Sequence, residues 1–203
     1  MNVFIYRHGQ TDYNAQKIVQ GRGVDVSLND LGQEQARSFY ETYCHIPFDL
    51  VLTSCLKRTI ETAQPFIIKG YPHIAKAEID EISWGIFEGK KSDNSMHDRY
   101  RSLLTSWSKG HYDHRIEEGD SALDMKDRLV RFVSFLKQLP FNNVLVCTHG
   151  GSLCFLTTIL MQEPLSDMIK YKIQNTGLCH FTYDKQMDRF NLITFNNVDH
   201  LSS

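Results

Sequence analysis

The stretch Phe4-Ile5-Tyr6-Arg7-His8-Gly9-Gln10-Thr11 decides how the rest of the chain is read. Its apolar run ends abruptly in Arg-His-Gly. That pattern predicts a buried strand over Asn2 to Tyr6, delivering an imidazole between a guanidinium and a glycine into a loop. Ligands of α/β proteins bind at the carboxyl ends of strands. An imidazole there can act as a nucleophile, and an adjacent arginine can hold phosphate. A second run, Val144-Leu145-Val146-Cys147-Thr148, delivers His149-Gly150-Gly151 in the same way.

Between and beyond these two runs the elements alternate. Asn29 is a helix cap, with Gln33 to Cys44 following as an amphipathic helix. Phe48 to Thr53 reads as the second strand. Leu56 to Ile68 reads as a helix that Pro65 kinks or shortens. Ala75 to Ile79 is a weaker third strand. Asp120 or Ser121 caps a long helix to about Leu139, in which Leu129, Phe132, Val133 and Leu136 recur at helical spacing. Asn143 to Thr148 is the fourth strand and Gly151 to Met161 the next helix. Leu178 to Tyr183 and Phe190 to Phe195 close the chain as a hairpin, and the tail after Asp199 reads as a disordered end. The expected fold is α/β: a three-layer sandwich with a mostly parallel central sheet, helices on both faces and a small lid insertion. Residues 1–203 are expected to form one domain. Within it, 83–119 is the least regular stretch and reads as the lid over the ligand end of the sheet.

The 203 residues carry a formal net charge of −2 and are 41% hydrophobic. This balance argues against nucleic acid or a membrane surface as partner, so any anion site is built from a few placed cations. No apolar run approaches the ~18 residues of a membrane span, and no charged leader precedes the first strand. The cysteines, Cys44, Cys55, Cys147, Cys154 and Cys179, are odd in number and lack a Cys-x-x-Cys pair, which supports neither a disulfide framework nor a zinc knuckle. A reducing cytoplasm is the expected compartment, and a monomer or homodimer the expected state. His111-Tyr112-Asp113-His114 is spaced like a metal pair but has no further ligand, and reads as a solvated loop.

Phosphoryl transfer needs an in-line nucleophile and positive charge around the equatorial oxygens. Arginine supplies that charge without a metal. Arg7 and His8 follow the first strand, Arg58 follows the second, and His149 follows the fourth. In a parallel sheet these ends converge on one crevice. Gly9, Gly150 and Gly151 allow close approach there, and the helix after His149 points its N-terminus at an anion. Glu81, in Asp80-Glu81-Ile82-Ser83-Trp84-Gly85-Ile86-Phe87-Glu88-Gly89, is placed to protonate a leaving oxygen, with burial beside Trp84 and Phe87 holding it as the acid. Glu88 reads as a supporting group.

These blocks resemble the histidine phosphatase superfamily, the phosphoglycerate-mutase-like group. Arg7 to Thr11 with Asn14 and Gln20-Gly21 looks like its opening signature, and Ser27 to Ala36 its next block. Ser54, Arg58, Thr62 and Ala63 resemble its arginine block, Glu81 to Gly89 its acid block, and Thr148 to Gly151 its second-histidine block. The resemblance implies that His8 attacks the phosphoryl group while Arg7, Arg58 and His149 bind it. It implies that Asn14, Gln20 and Gly21 border the pocket. Thr11 and Gly150 are also expected among the substrate-binding residues. Glu81 would protonate the leaving oxygen and then activate water, with no metal and no cofactor. The family's Gly-Glu-Ser before the long helix is here Gly119-Asp120-Ser121, so Asp120 and Arg128 are expected to be structural. The short segment after the acid block favours the phosphatase branch.

The expected function is therefore a metal-independent phosphomonoesterase acting on a small phosphorylated metabolite through a phosphohistidine. Sugar phosphates and α-ribazole phosphate are candidate substrates. A cofactor-dependent phosphoglycerate mutase and a catalytically weak phospho-ligand-binding module are the alternatives. The lid cations Lys90, Lys91, Arg99, Arg101, Lys109 and Arg115 read mainly as a solvated face, with recognition of a second anionic group as the minority reading.

Overall fold

The computed structural model describes residues 1–201. Its strands are β1 (Asn2–Arg7), β2 (Leu50–Thr53), β3 (His73–Ala75), β4 (Asn143–Thr148), β5 (Leu178–Asp184) and β6 (Arg189–Asn197). They form one sheet in the order β3-β2-β4-β1-β5-β6. The β3-β2-β4-β1 part is parallel, and β5 and β6 add an antiparallel edge. The helices are α1 (Asp12–Gln16), α2 (Asp30–Tyr43), α3 (Lys57–Ile68), α4 (Asn94–Ser108), α5 (Ala122–Gln138) and α6 (Gly150–Leu160).

Strand alternation sorts the core into two layers, because successive side chains point to opposite faces. Val3, Ile5, Leu52, Val144 and Val146 pack with Leu129 and Phe132 of α5 and Leu153 and Leu156 of α6. Phe4, Tyr6, Val51, Leu145 and Cys147 pack on the other face with Phe39 of α2 and Phe66 of α3. Tyr6 stacks on Phe39 with centroids 4.0 Å apart. The mostly parallel α/β sandwich expected from the sequence is the architecture found.

The helix caps follow the sequence. Asn29 accepts from the Gly32 N–H at the start of α2, and Ser121 forms a reciprocal capping box with Asp124 at the start of α5. Pro65 lies inside α3, which nevertheless continues to Ile68.

Three expectations need correction. The third strand is His73–Ala75, and Ala77–Ile79 is a 3-10 turn. β2 ends at Thr53, the partner of Ala75, so residues beyond Ala75 have no ladder to join. Ile79 turns inward and is fully buried. Within 83–119, Asn94–Ser108 is a regular helix rather than irregular chain. Asp93 caps it, and Met96, Leu103 and Trp107 are its buried residues. Its polar and charged residues mask that sparse apolar stripe. Finally, Asp199–Leu201 forms a 3-10 turn in which buried His200 meets Thr176 Oγ1 at 2.9 Å. The rest of the expected disordered end, 202–203, lies outside the described residues.

All five cysteines are free. Among the described residues no helix is long and apolar enough to cross a membrane.

Candidate active site

The register of β1 against β4 builds the site. Their last pair is Arg7 with Thr148, and the His8 N–H donates to the Thr148 carbonyl at 2.9 Å. The two loops that follow thus bring His8 and His149 together, with ring centroids 5.2 Å apart. From β1 the chain passes to α2 on one face, and from β4 it passes to α6 on the other. Adjacent parallel strands that part in this way leave a crevice at their carboxyl ends, the usual ligand position of such sheets.

The two imidazoles are held in different tautomers. Nδ1 of His8 lies 2.7 Å from the Gly9 carbonyl, which can only accept. Nδ1 therefore carries the proton, and neutral His8 has its lone pair on Nε2. Burial holds the His8 pKa well below the ordinary value, and the charges of Arg58 and Arg7 lower it further. In His149 the arrangement is reversed. Its Nδ1 accepts from Arg58 Nε at 3.1 Å, so Nε2 carries the proton and donates to Ser54 Oγ at 2.8 Å. Burial followed by the Arg58 charge also holds this imidazole neutral.

Arg58 is fully buried at the first turn of α3. Beyond His149 it donates to the carbonyls of Val24 at 2.7 Å and Gly21 at 3.3 Å. Three bonds from a five-donor fork leave N–H groups for an anion. Arg7 donates to the Ile173 carbonyl at 2.9 Å, while its buried Nε has no partner. Burial lowers both guanidinium pKa values, and the Glu81 carboxylate opposes that shift in each. Both remain charged, because arginine starts so high.

Glu81 is buried at the N-terminus of α6. Its Oε1 accepts from the N–H groups of Ile82 and Ser152, each at 2.9 Å, while the Ser152 hydroxyl donates to the Asp80 carbonyl at 2.6 Å. Its Oε2 accepts only from the Gly151 N–H, at 3.0 Å. A helix N-terminus is a natural seat for a carboxylate. The hydrogen-bonding setting of Glu81 is thus polar, rather than one set by Trp84 and Phe87. A Cβ on Gly151 would stand 2.6 Å from Glu81 Oε1, so only glycine lets the helix approach this closely. Arg128 clamps the segment from behind, donating to the carbonyls of Asp80 at 2.6 Å and Glu81 at 3.0 Å. Asp120 stands 3.6 Å from Arg128 and accepts from the Ser83 N–H at 2.9 Å. Both contacts are structural in kind.

The remaining predicted residues join the same network. Thr11 caps α1 in a capping box with Asn14, and its hydroxyl donates to Gln20 Oε1 at 3.0 Å. Gly21 presents its carbonyl to Arg58. Glu88 accepts from the Trp84 N–H at 2.8 Å and the Ser83 hydroxyl at 3.0 Å, in the supporting position expected of it. Gly150 starts α6, and a Cβ there would stand 3.3 Å from Arg7 Nε.

Sequence reading missed Asn175. Its amide donates to the His8 carbonyl at 2.9 Å and reaches Asn14 Oδ1 at 3.4 Å, tying both loops together. The available signal was the turn-like run Gln174-Asn175-Thr176-Gly177 just before β5. The run pairs with Arg7 through backbone bonds from Thr176 and to Gly177.

His111 and His114 stack on each other at 5.3 Å in an exposed loop. Among the described residues no group of three or more His, Cys, Asp or Glu is arranged to hold a metal ion. Of the cations within 83–119, Arg101 pairs with Asp98, Arg115 pairs with Asp124, and Arg99 lies over the Phe87 ring.

Known proteins resemble this chain over most of its length. The uncharacterized phosphatase PhoE of Bacillus subtilis is 27% identical over 202 residues, covering 98% of this chain and 96% of its own. The Klebsiella pneumoniae protein named "Probable phosphoglycerate mutase GpmB" is 26% identical over 187 residues, covering 91% of this chain and 86% of its own. The α-ribazole phosphatase structure from Shigella flexneri superposes with a TM-score of 0.83 at 23% identity, covering 97% of this chain and 96% of that one. The model of the histidine phosphatase superfamily (branch 1) matches residues 3–197. With that match spanning nearly all of the sequence, the chain belongs to the histidine phosphatase superfamily.

Proposed function

We propose that this chain is a metal-independent phosphomonoesterase that hydrolyses a small phosphorylated metabolite through a phosphohistidine at His8. The observation that carries the reading is the His8 tautomer: Nδ1–H is tied to the Gly9 carbonyl, leaving an unprotonated Nε2 beside Arg7, Arg58 and His149. Phosphatase-named relatives in the same superfamily support the reaction class.

In the first half-reaction the Nε2 lone pair attacks phosphorus. The N–P bond forms as the ester P–O bond breaks, and a proton on Glu81 passes to the leaving oxygen. Glu81 Oε2 is the atom suited to this, since Oε1 already takes two backbone donors and Oε2 only one. Arg7 and Arg58 bind the equatorial oxygens with their remaining N–H groups. The α6 N-terminus adds partial positive charge. In the second half-reaction Glu81 takes a proton from water, which attacks phosphorus and releases His8. Thr11, Asn14, Gln20, Gly21 and Gly150 border the phosphate, and Asn175 holds the His8 loop in place. Residues 83–119 act as the lid.

The test is hydrolysis of a phosphomonoester panel in EDTA by wild type and His8→Ala. Turnover by wild type alone supports the reading, and equal turnover by both sinks it. The likeness to a mutase-named relative motivates one further member of the panel, 3-phosphoglycerate with a bisphosphate primer. Isomerisation faster than hydrolysis would transfer the assignment to a mutase.

A further inference from the structure

Two cavities flank the candidate active site and share one wall. The smaller, about 130 Å³, is lined by Trp84, Tyr100, Leu104, Trp107 and Phe155, and it reaches Gly151. The larger, about 290 Å³, is lined by Trp84, Tyr100, Phe87 and Met96, and it reaches Gln20. The shared wall is the edge-to-face pair of Trp84 and Tyr100, with ring centroids 5.3 Å apart. Gly151 is the residue whose N–H binds Glu81 Oε2, and Gln20 is bonded to Thr11. Each cavity thus borders the site through one residue, Gly151 for the smaller and Gln20 for the larger.

Their chemistry is apolar and nearly free of cations. Lys172 at the smaller cavity and His97 at the larger are the basic residues among their linings. None of Lys90, Lys91, Arg99, Arg101, Lys109 or Arg115 lines either one. A second phosphate or a carboxylate on the substrate would find no guanidinium fork here. A ring would fit the larger cavity, since an apolar cavity of roughly 150 Å³ holds benzene.

The geometry points to a substrate whose phosphate ester carries an aromatic or similarly flat apolar body on the leaving alcohol, seated against Trp84 and Tyr100, with no second anionic group. This inference rests on the phosphatase reading above and names its substrate class.

The experiment compares kcat/KM of the full chain for 2-phenylethyl phosphate, glycerol 3-phosphate and 3-phosphoglycerate, all in EDTA. All three release a primary alcohol, so differences report recognition of the leaving group. The expected result is a preference for the phenylethyl ester on the order of tenfold or more. Tyr100→Ala should erase that preference and Tyr100→Phe should keep it. Tyr100 is 38% exposed, so its truncation leaves the core intact. Leu104→Phe, which keeps the Tyr100 side chain and fills part of the smaller cavity, should lower the same ratio. Equal or better hydrolysis of the polar esters by wild type overturns the inference and leaves the phosphatase reading standing. So does a ratio unmoved by Tyr100→Ala. No turnover of any ester by wild type overturns both.

Discussion

Arg58 Nε lies 3.1 Å from Nδ1 of His149, so a guanidinium fixes the tautomer of the second histidine. The His149 proton is thereby sent to Ser54, and the ring stays neutral beside His8. One side chain both offers charge to the phosphate and sets its neighbour's hydrogen-bonding roles. Lysine cannot reproduce this, because its ammonium is a point charge without a fork. Arg58→Lys should lower kcat/KM on the order of 10²–10³-fold. It also leaves the half-buried Val24 carbonyl and the buried Gly21 carbonyl without their donor, at about 1–3 kcal/mol for the buried one. Steady-state kinetics with a thermal melt separates the two effects. Wild-type kinetics in the variant would remove Arg58 from the phosphate site.

His8 should be the phosphorylated atom's carrier. Acid-quenched wild type given excess substrate is expected to hold no protein-bound phosphate, whereas base-quenched enzyme should, because phosphohistidine is acid-labile and base-stable. His8→Ala should hold none and lose activity on the order of 10⁴-fold or more, as expected for a covalent nucleophile. Labelling that survives in His8→Ala would place the nucleophile elsewhere.

Glu81→Gln retains an acceptor for the backbone N–H groups of α6 but has no transferable proton. The expected loss in kcat is about 10²–10⁴-fold for an alkyl ester. For 4-nitrophenyl phosphate, whose leaving group needs no proton, phosphoenzyme formation should suffer far less. Equal losses on both esters, measured in single turnover, would argue against the acid role.

Gly151→Ala puts a methyl group where Glu81 Oε1 stands 2.6 Å away. The carboxylate must move, so kcat should fall at least about tenfold while Tm shifts by only a few degrees. Gly150→Ala meets Arg7 Nε at 3.3 Å, a flexible side chain that can yield slightly, and should be the milder change.

Stability should fall as pH drops below about 6.5. Burial holds the pKa values of His8 and His149 well below that value in the native state. The unfolded chain takes up protons near pH 6.5 that the folded chain refuses. Stability contributed by these groups is therefore constant above the unfolded pKa and declines below it, by up to about 1.4 kcal/mol per pH unit for each histidine. Thermal melts from pH 7.5 to 5.5 should show a steeper decline for wild type than for His8→Gln. Parallel curves would mean that His8 titrates alike in both states.

Much of this molecule is local and therefore legible in the chain. The apolar runs ending in Arg7-His8-Gly9 and His149-Gly150-Gly151, the caps Asn29 and Ser121, and the helical spacing of Leu129, Phe132 and Leu136 fix strands and helices through neighbours close in sequence. What local pattern cannot supply is pairing. The end of β3 depends on where β2 stops, and α4 depends on the core that receives Met96, Leu103 and Trp107. Asn175 reaches His8 only because β5 lies antiparallel beside β1. By itself the sequence determined which elements form and which residue types stand at their ends. The tertiary structure decided which atoms of those residues face one another: Nε2 of His8 left open, Nδ1 of His149 taken by Arg58, and Glu81 seated on α6. The reason is physical, since a tautomer or a free lone pair depends on a partner brought from another part of the chain by strand register and helix packing.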